Sequence, residues 1–468
     1  MVFSSLTFLF LFLPMFLLAD KSIAYAGGGA RWRNLLLVAA SLLFYFWGEG
    51  RGVLLLVALA VLNLGLGKLL LTVSEHRRRV VLVSGIVLNL LVLFFYKYLF
   101  WVVSSATQWL SLSPVPHIHD RALPLGISFF TFHAVSYLVD LYKGKIGRHT
   151  GLDFLTYYFM FPHLVAGPIV RFADVQTDID GRSVSGFDRS LFIWGVWRFI
   201  VGLNKKVLIA NSVAPIADLA FHNLTGDVSL GTAWLGIAAY AVQIYFDFSG
   251  YSDMAIGLAA MAGIRFHENF NAPYTSVSIR DFWRRWHMSL SSWLRDYVYI
   301  PLGGSRCSTG KLYRNLLVVF LLCGIWHGAQ STFVLWGLFH GGFLILERTR
   351  FGRWVEALPN GLQHGYCLLV VMLGWVLFRA ENLPQALGYW QSLVAGAPTL
   401  DIPTGGLNVG ALTAGALIAL FGRRVYGKQD AFAPTVPTWL YAVNLLLFVV
   451  SVMVLYSGTR NPFIYFNF

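Results

Sequence analysis

Long apolar runs recur along this chain, and short clusters of arginine and lysine separate them. Residues 35–47, 53–73 and 80–103 form three such runs near the N-terminus, and others follow as far as residue 455. A helix needs about 20 apolar residues to cross the hydrocarbon core of a bilayer. Only 12% of the residues are charged, whereas soluble domains carry about 25%. The pattern predicts an all-α polytopic membrane protein with roughly eleven to thirteen transmembrane helices plus re-entrant helices.

The basic clusters indicate orientation in a membrane and not nucleic-acid binding. The net charge is +13, but the basic residues sit in short loops between apolar runs, as cytoplasmic loops do. Placing Arg31, Arg33 and the run 77–79 in the cytoplasm puts the N-terminus on the outside. We expect a chain of this kind to fold as one membrane-embedded domain over residues 1–468, with its functional core at roughly 120–345.

The stretch 278–341 carries charges, histidines and tryptophans at a density that a bilayer core should exclude. Residues 281–297, placed on one helix, divide into two faces. Apolar residues share one face, which comprises Trp283, Trp286, Leu290, Trp293, Leu294 and Tyr297, and polar residues share the other, which comprises Arg284, His287, Ser291 and Arg295. A central arginine in lipid costs about 2.5–3.5 kcal/mol. The helix is therefore predicted to lie at the interface, to re-enter the membrane, or to line a wet cavity.

A second irregular stretch is Phe161-Pro-His-Leu-Val-Ala-Gly-Pro168. Its two prolines and one glycine predict a broken helix. Such a break at membrane depth is tolerated only where protein or water covers the backbone.

His327 is the sharpest candidate for chemistry. It ends the apolar run 316–326, and Gly324 and Gly328 beside it would let another helix approach closely. Burial disfavours a charged imidazole, and a neutral imidazole can accept a proton as a general base. The alternative is a histidine that hydrogen-bonds across a helix interface. For His340 and His163, packing or the lining of a cavity is a better interpretation than catalysis.

Other polar residues of the central stretch have a functional and a structural interpretation. His287 could assist the base, orient it or bind substrate, or it could be a structural hydrogen-bonding partner. Arg284, Arg285, Arg295 and Asp296 could form internal ion pairs, or the arginines could hold an anionic group such as a coenzyme phosphate.

Several other chemistries lack their sequence signatures. His327 and His340 have no familiar zinc-ligand spacing and no acidic or cysteine partner at such spacing, so we expect no metal site. The three cysteines are scattered, with no metal-ligand spacing and no obvious disulfide framework, and we interpret them as packing residues: Cys307, Cys323 and Cys367. The sequence contains no P-loop and no G-x-S-x-G motif.

At these residues the sequence resembles the membrane-bound O-acyltransferase family, and within it the bacterial polysaccharide O-acetyltransferases. The resemblance runs over nearly the whole chain, through several long motifs in the same order. They are Met1-Val-Phe-Ser-Ser5, the segment 161–168, Tyr245-Phe-Asp-Phe-Ser-Gly-Tyr-Ser-Asp-Met254, Phe282-Trp-Arg-Arg-Trp-His-Met-Ser-Leu-Ser291, Trp293-Leu-Arg-Asp-Tyr297, Trp326-His-Gly-Ala329 and Asn461-Pro-Phe-Ile-Tyr-Phe466.

The resemblance implies a fold and a site. Its fold is a ring of membrane helices around a central funnel or tunnel. It implies that His327 is the catalytic histidine and that His287 is a second functional position. With them we expect substrate binding by Arg284, Arg285, Arg295, Asp296 and Trp326.

The resemblance also implies a function. The expected reaction takes acetyl groups from a cytoplasmic donor, acetyl-CoA, for O-acetylation of an exported polysaccharide such as alginate or cellulose. We expect location in the bacterial inner membrane, contact with membrane lipid, extracytoplasmic acetyltransferase partner proteins, and no tightly bound cofactor. The alternatives are a transporter or channel for a polymer or lipid-linked precursor, and a lipid or protein O-acyltransferase of the same family.

Overall fold

A computed structural model describes residues 2–111, 123–182, 188–222, 228–395, 405–426, 437–458 and Ile464. These residues form helices and connecting turns, with no β-strand within the described ranges, so the all-α prediction is confirmed. The chain divides into two compact units. One comprises Met1–Ile200 and Ser252–His267, and the other Val201–Tyr251 and Glu268–Phe468. The expected single domain, with its core at roughly 120–345, stays a prediction.

The α-helices of the N-terminal half are α1 (Leu13–Tyr25), α2 (Ala30–Glu49), α3 (Val53–Thr72), α4 (Glu75–Leu93), α5 (Leu99–Trp109), α6 (Ile127–Tyr142), α7 (Gly151–Phe159), α8 (Phe161–Leu164), α9 (Phe172–Gly181), α10 (Arg189–Asn204), α11 (Asn211–His222) and α12 (Leu230–Met261). Those that follow are α13 (Ile279–Trp283), α14 (Met288–Leu294), α15 (Thr309–His327), α16 (Ser331–Leu346), α17 (Arg350–Glu356), α18 (Asn360–Arg379), α19 (Leu383–Ala395), α20 (Gly406–Tyr426) and α21 (Thr438–Tyr456). Among the described residues, π-helical segments lie at Phe8–Phe12, Phe94–Tyr98, Lys205–Ala210 and Arg295–Tyr299, and 3₁₀ turns lie at Gly50–Gly52 and Pro273–Thr275.

Seven helical segments of the described chain are long and apolar enough to cross a membrane. They are Phe8–Tyr25, Ala30–Thr72, Glu75–Trp109, Arg189–His222, Thr309–His327, Asn360–Arg379 and Thr438–Tyr456. The segment Ala30–Thr72 alone contains two helices of 20 residues, each long enough for one crossing. Large apolar side chains such as Leu54, Val61 and Leu446 are exposed on these helices, as lipid contact requires. The polytopic class is thus confirmed, while the count of eleven to thirteen spans stays a prediction.

A buried ion-pair network stabilises the first unit. The Asp20 carboxylate accepts hydrogen bonds from Arg33 at 2.9 and 3.0 Å and from Arg182 at 2.7 Å. Lys21 pairs with the same carboxylate at 3.2 Å. Buried charges are tolerated when they are paired and hydrogen-bonded in this way. Arg33, which the pattern of basic clusters predicts in a cytoplasmic loop, is therefore a buried residue that stabilises this unit.

The broken helix predicted at 161–168 is confirmed. Helix α7 ends at Phe159, α8 is a single turn, and an irregular segment continues from Val165 to Arg171. The Ser41 hydroxyl accepts a hydrogen bond from the Phe161 backbone N–H at 3.0 Å, so a side chain of α2 satisfies one donor that the break exposes.

The single amphipathic helix predicted over 281–297 is wrong. Helix α13 ends at Trp283, α14 begins at Met288, and residues 295–299 are π-helical. His287 has a left-handed backbone, with φ at 45°, which interrupts the helix. Its side chain is fully buried, whereas those of Arg284 and Arg295 are exposed. The predicted polar face therefore does not exist, although the tryptophans and leucines assigned to the apolar face are buried.

Helices α15 and α16 form a closely packed hairpin in the second unit. A Cβ atom placed on Gly324 would lie 2.2 Å from the Phe333 carbonyl oxygen, and one on Gly337 would lie 2.2 Å from the Phe320 carbonyl oxygen. The two backbones can come this close only because both positions lack a side chain. The close approach predicted at Gly324 is confirmed, and it fixes the end of α15, where His327 lies.

Candidate active site

Helix α13 is anchored at its N-terminus by two side chains. The Ser278 hydroxyl accepts a hydrogen bond from the Asp281 N–H at 3.0 Å. The Glu347 carboxylate, just after α16, accepts hydrogen bonds from the backbone N–H groups of Ile279 and Arg280 at 2.6 and 3.0 Å. A carboxylate at a helix N-terminus also interacts favourably with the helix dipole. These contacts hold α13, and the turn that follows it, against the end of α16.

His327 is the last residue of α15, and its side chain is 3% exposed. Its Nδ1 lies 2.7 Å from the carbonyl oxygen of Cys323, one turn earlier in the helix. A carbonyl oxygen only accepts hydrogen bonds, so Nδ1 carries the ring proton of the neutral imidazole. Nε2 is then the nitrogen with the basic lone pair, as a proton acceptor requires.

Aromatic rings surround the His327 imidazole. Ring centroids of Trp326, Trp336 and Phe378 lie 4.9, 5.0 and 5.2 Å from that of His327, all in edge-on orientations. Trp326 is buried, so this substrate-binding candidate forms part of the wall around the histidine. Apolar walls lower the local dielectric and strengthen any electrostatic interaction made inside them.

The structure brings His287 to the same place. Its ring centroid lies 6.4 Å from that of His327 and 5.9 Å from that of Trp326. Nδ1 of His287 lies 3.2 Å from Oδ1 of Asn269, while Nε2 is buried without a hydrogen-bond partner among the described residues. The sequence carries no signal for Asn269, because this residue is uncharged and lies 18 residues before His287.

The two weaker histidine candidates lie in packed surroundings. The indole N–H of Trp283 points at Nδ1 of His340 at 3.4 Å, and Nε2 faces Gly374, where an added Cβ would lie only 2.7 Å away. His163 belongs to the first unit, where its ring stacks on His133 with centroids 4.3 Å apart. Within the second unit, His340 packs on the far side of the site wall, since its ring contacts Trp336 with centroids 5.1 Å apart, and Trp336 in turn contacts the His327 ring.

The candidate phosphate-binding arginines differ in what they already contact. Arg285 pairs with Asp281 at 2.9 Å, and Arg295 pairs with Asp296 at 2.7 Å. The hydrogen bond to Asp296 raises the pKa of Arg295 above its usual value. Arg284 is exposed and makes no ion pair with a described residue. Of the three, Arg284 has the guanidinium best suited to receive an external anion.

No group of three or more histidine, cysteine, aspartate or glutamate side chains in the described ranges is arranged to hold a metal ion. The site therefore offers two buried imidazoles, with ring centroids 6.4 Å apart, within aromatic walls. Imidazoles so placed can take a proton from a hydroxyl group and return it to a leaving group.

Comparison with known proteins shows the family to which the chain belongs. The model of the membrane-bound O-acyltransferase family matches residues 42–382. A probable alginate O-acetylase of Pseudomonas aeruginosa is 39% identical over the full length of both chains. A peptidoglycan O-acetyltransferase of Helicobacter pylori is 35% identical over 84% of this chain and 80% of its own. A teichoic acid D-alanyltransferase of Bacillus subtilis is 30% identical over 58% of this chain and 71% of its own.

The all-α membrane fold and these matches are those of a membrane-embedded acyltransferase. The chain belongs to the membrane-bound O-acyltransferase family, and the expected O-acetyltransferase activity is confirmed by its full-length relatives. These matches favour an enzyme over the transporter or channel considered from the sequence.

Proposed function

We propose that this protein transfers acetyl groups from cytoplasmic acetyl-CoA for O-acetylation of an exported polysaccharide such as alginate or cellulose, with His327 as the general base. The hydrogen bond from Nδ1 of His327 to the Cys323 carbonyl carries the proposal, because it leaves the basic lone pair on Nε2. The relatives, which include a probable alginate O-acetylase and a peptidoglycan O-acetyltransferase, support a polymer hydroxyl as acceptor.

The proposed reaction is a direct acyl transfer. Nε2 of His327 takes the proton of the acceptor hydroxyl while that oxygen bonds to the thioester carbonyl carbon. The carbon–sulfur bond then breaks, and the leaving thiolate takes the proton back from Nε2. General-base assistance of this kind is typically worth about 10²–10⁴-fold. Positioning of the two substrates supplies a further part of the rate enhancement.

His287 and the aromatic walls have supporting roles in this proposal. Nε2 of His287 is buried without a partner among the described residues, so a substrate hydroxyl is a suitable donor to it. The rings of Trp326, Trp336 and Phe378 exclude water, which would otherwise hydrolyse the thioester. Arg284 is the proposed contact for the coenzyme phosphates, since Arg285 and Arg295 are already paired.

The proposed setting is the bacterial inner membrane, with the N-terminus on the periplasmic side. Basic segments such as 77–79 would then face the cytoplasm, where acetyl-CoA is available. The acceptor is either the polysaccharide itself or a relay group on an extracytoplasmic acetyltransferase partner protein.

Replacing His327 with alanine tests the base. The variant should reach the membrane at a normal level, and the ester-bound acetate of exported polysaccharide should fall by at least about 10²-fold. Acetate released by mild alkali from polysaccharide and cell-wall fractions is the measurement, in cells whose sole copy of the protein is the variant. Purified protein offered acyl-CoA of different chain lengths separates acetyl transfer from the lipid or protein acyltransferase alternative.

His340→Ala is the matched control, because it also removes a fully buried imidazole. It should lower thermal stability but leave acetylation per membrane-inserted molecule close to wild type. Normal acetylation by His327→Ala would rule out the proposed base. An equal loss in both variants would mean that packing, and not proton transfer, explains the effect.

A further inference from the structure

We propose that Asn269 is a positioning residue, which holds His287 in the tautomer whose Nε2 accepts a hydrogen bond. The inference rests on the proposed function, because it requires that His287 contact a reacting group. It extends that function by assigning a role to a residue outside the two histidine motifs.

Three hydrogen-bond donors converge on the side-chain oxygen of Asn269. The Ser289 hydroxyl lies 2.8 Å from Oδ1, the Ser289 backbone N–H lies 3.2 Å from it, and Nδ1 of His287 lies 3.2 Å from it. A backbone N–H is always a donor, so the atom it meets must be the amide oxygen. An amide oxygen cannot donate. The Ser289 hydroxyl also lies 3.4 Å from Nδ1 of His287, but its single proton goes to Oδ1 of Asn269 in the shorter bond of 2.8 Å, so it too can only accept from Nδ1. Nδ1 of His287 therefore carries the proton. The side chain of Asn269 is fully buried, which keeps water from competing for these bonds.

The backbone of the same segment fixes the turn that carries His287. The Asn269 carbonyl oxygen accepts a hydrogen bond from the Met288 N–H at 2.9 Å, and the Asn271 N–H donates to the Arg285 carbonyl oxygen at 2.9 Å. These two bonds lie on either side of His287, whose φ is 45°. Left-handed backbone is unfavourable for a residue with a side chain and persists only where surrounding contacts impose it. Residues 269–271 thus set the direction of the imidazole as well as its tautomer.

The consequence is a defined polarity at the site. With Nδ1 committed to Asn269, the neutral His287 ring presents only an acceptor at Nε2, as His327 does through its own bond to Cys323. Two acceptor nitrogens suit a hydroxyl-bearing substrate, because each can receive an O–H donor. In the opposite tautomer, His287 would present an N–H, which cannot receive a hydroxyl proton.

A double-mutant cycle separates this role from a purely structural one. Asn269→Leu keeps the number and branching of the side-chain heavy atoms and removes the acceptor. It should lower the acetylation rate by about 10-fold or more, since a wrongly held histidine in a catalytic triad costs up to about 10⁴-fold. Asn269→Asp keeps an acceptor oxygen and should stay within a few-fold of wild type. In the His287→Ala background, Asn269→Leu should have no further effect, because the two residues act as a unit.

The readout is ester-bound acetate per membrane-inserted molecule, with acetyl-CoA consumption by the protein in proteoliposomes as the second measurement. Losses that multiply in the double variant would overturn the inference, since a structural defect adds to the loss of the ring. Asn204→Leu is the matched control. Asn204 is buried and hydrogen-bonds to Asn444 and Ser451, so its loss should lower stability without a selective loss of rate.

The aspartate variant decides the matter if Asn269→Leu does not accumulate in the membrane. A carboxylate at position 269 stabilises protonated His287, which cannot accept a hydrogen bond at Nε2. As the pH is lowered, this variant should therefore lose activity at a higher pH than wild type does. Among the described residues, the titratable side chain in ring contact with His287 is His327, and it is unchanged in this variant. An unaltered pH profile would overturn the inference. Activity in His327→Ala would contradict the proposed function itself. If His327→Ala is inactive but the losses multiply in the double variant Asn269→Leu/His287→Ala, only the role of Asn269 is contradicted.

Discussion

Substituting alanine for Gly324 should lower the acetylation rate much more than it lowers the stability of the α15–α16 hairpin. An added Cβ would lie 2.2 Å from the Phe333 carbonyl oxygen, while ordinary van der Waals contact begins near 3.4 Å. The two helices would therefore have to separate by about 1.2 Å at this level, because packed interiors leave no void to absorb the atom. His327 lies one turn further along α15, so the separation displaces the proposed base from its partners.

The expected cost has two parts. Inserting a methyl group into a well-packed interface costs about 1–3 kcal/mol of stability, which thermal unfolding of the purified protein in detergent can measure. A displacement of about 1 Å at a catalytic group can lower the rate by about 10²-fold. The rate should consequently fall much further than the fraction of folded protein does.

Gly310→Ala is the matched control, since it lies on the same helix with no atom within 4 Å of its added Cβ. Alanine is favoured over glycine in a helix by at most about 1 kcal/mol, so this variant should be as stable as wild type or slightly more so, with normal activity. Wild-type activity and stability in Gly324→Ala would show that the hairpin is not the rigid support inferred here.

Two further predictions concern the arginines and the membrane topology. Arg284→Ala should raise the KM for acetyl-CoA by about 10-fold, the equivalent of about 1.4 kcal/mol, without loss of stability. Arg285→Ala should instead destabilise the protein, because it leaves Asp281 without its partner, and an equal KM effect in the two variants would exclude a special role for Arg284. In a variant without native cysteines, a cysteine at Ser74 should react with an impermeant thiol reagent only after the inner membrane is opened. A cysteine at Arg51 should react from the periplasm, and the reverse labelling would invert the proposed orientation.

The parts of the site that depend on local pattern could be predicted from the sequence. The end of α15 at His327 follows from an apolar run that stops there, and the approach of α16 follows from Gly324. The break at 161–168 follows from proline chemistry. Each of these features is encoded within a few neighbouring residues.

The turn at His287 could not be predicted in the same way. Residues 281–297 have a helical spacing of apolar side chains, and that spacing indicates one helix. The bonds that break it come from Asn269 and Asn271, which are distant in sequence and carry no charge or periodicity. Tertiary hydrogen bonds therefore override the local helical preference.

The positive φ of His287 implies a conflict between folding and chemistry at one position. Left-handed backbone costs a residue with a side chain about 1–2 kcal/mol, and glycine would adopt the same turn without that penalty. A sequence selected for thermal robustness alone would carry glycine between α13 and α14. In the proposed function, the need for an imidazole at this position outweighs the weaker turn, so that the residue with the positive φ is also the one least free to change.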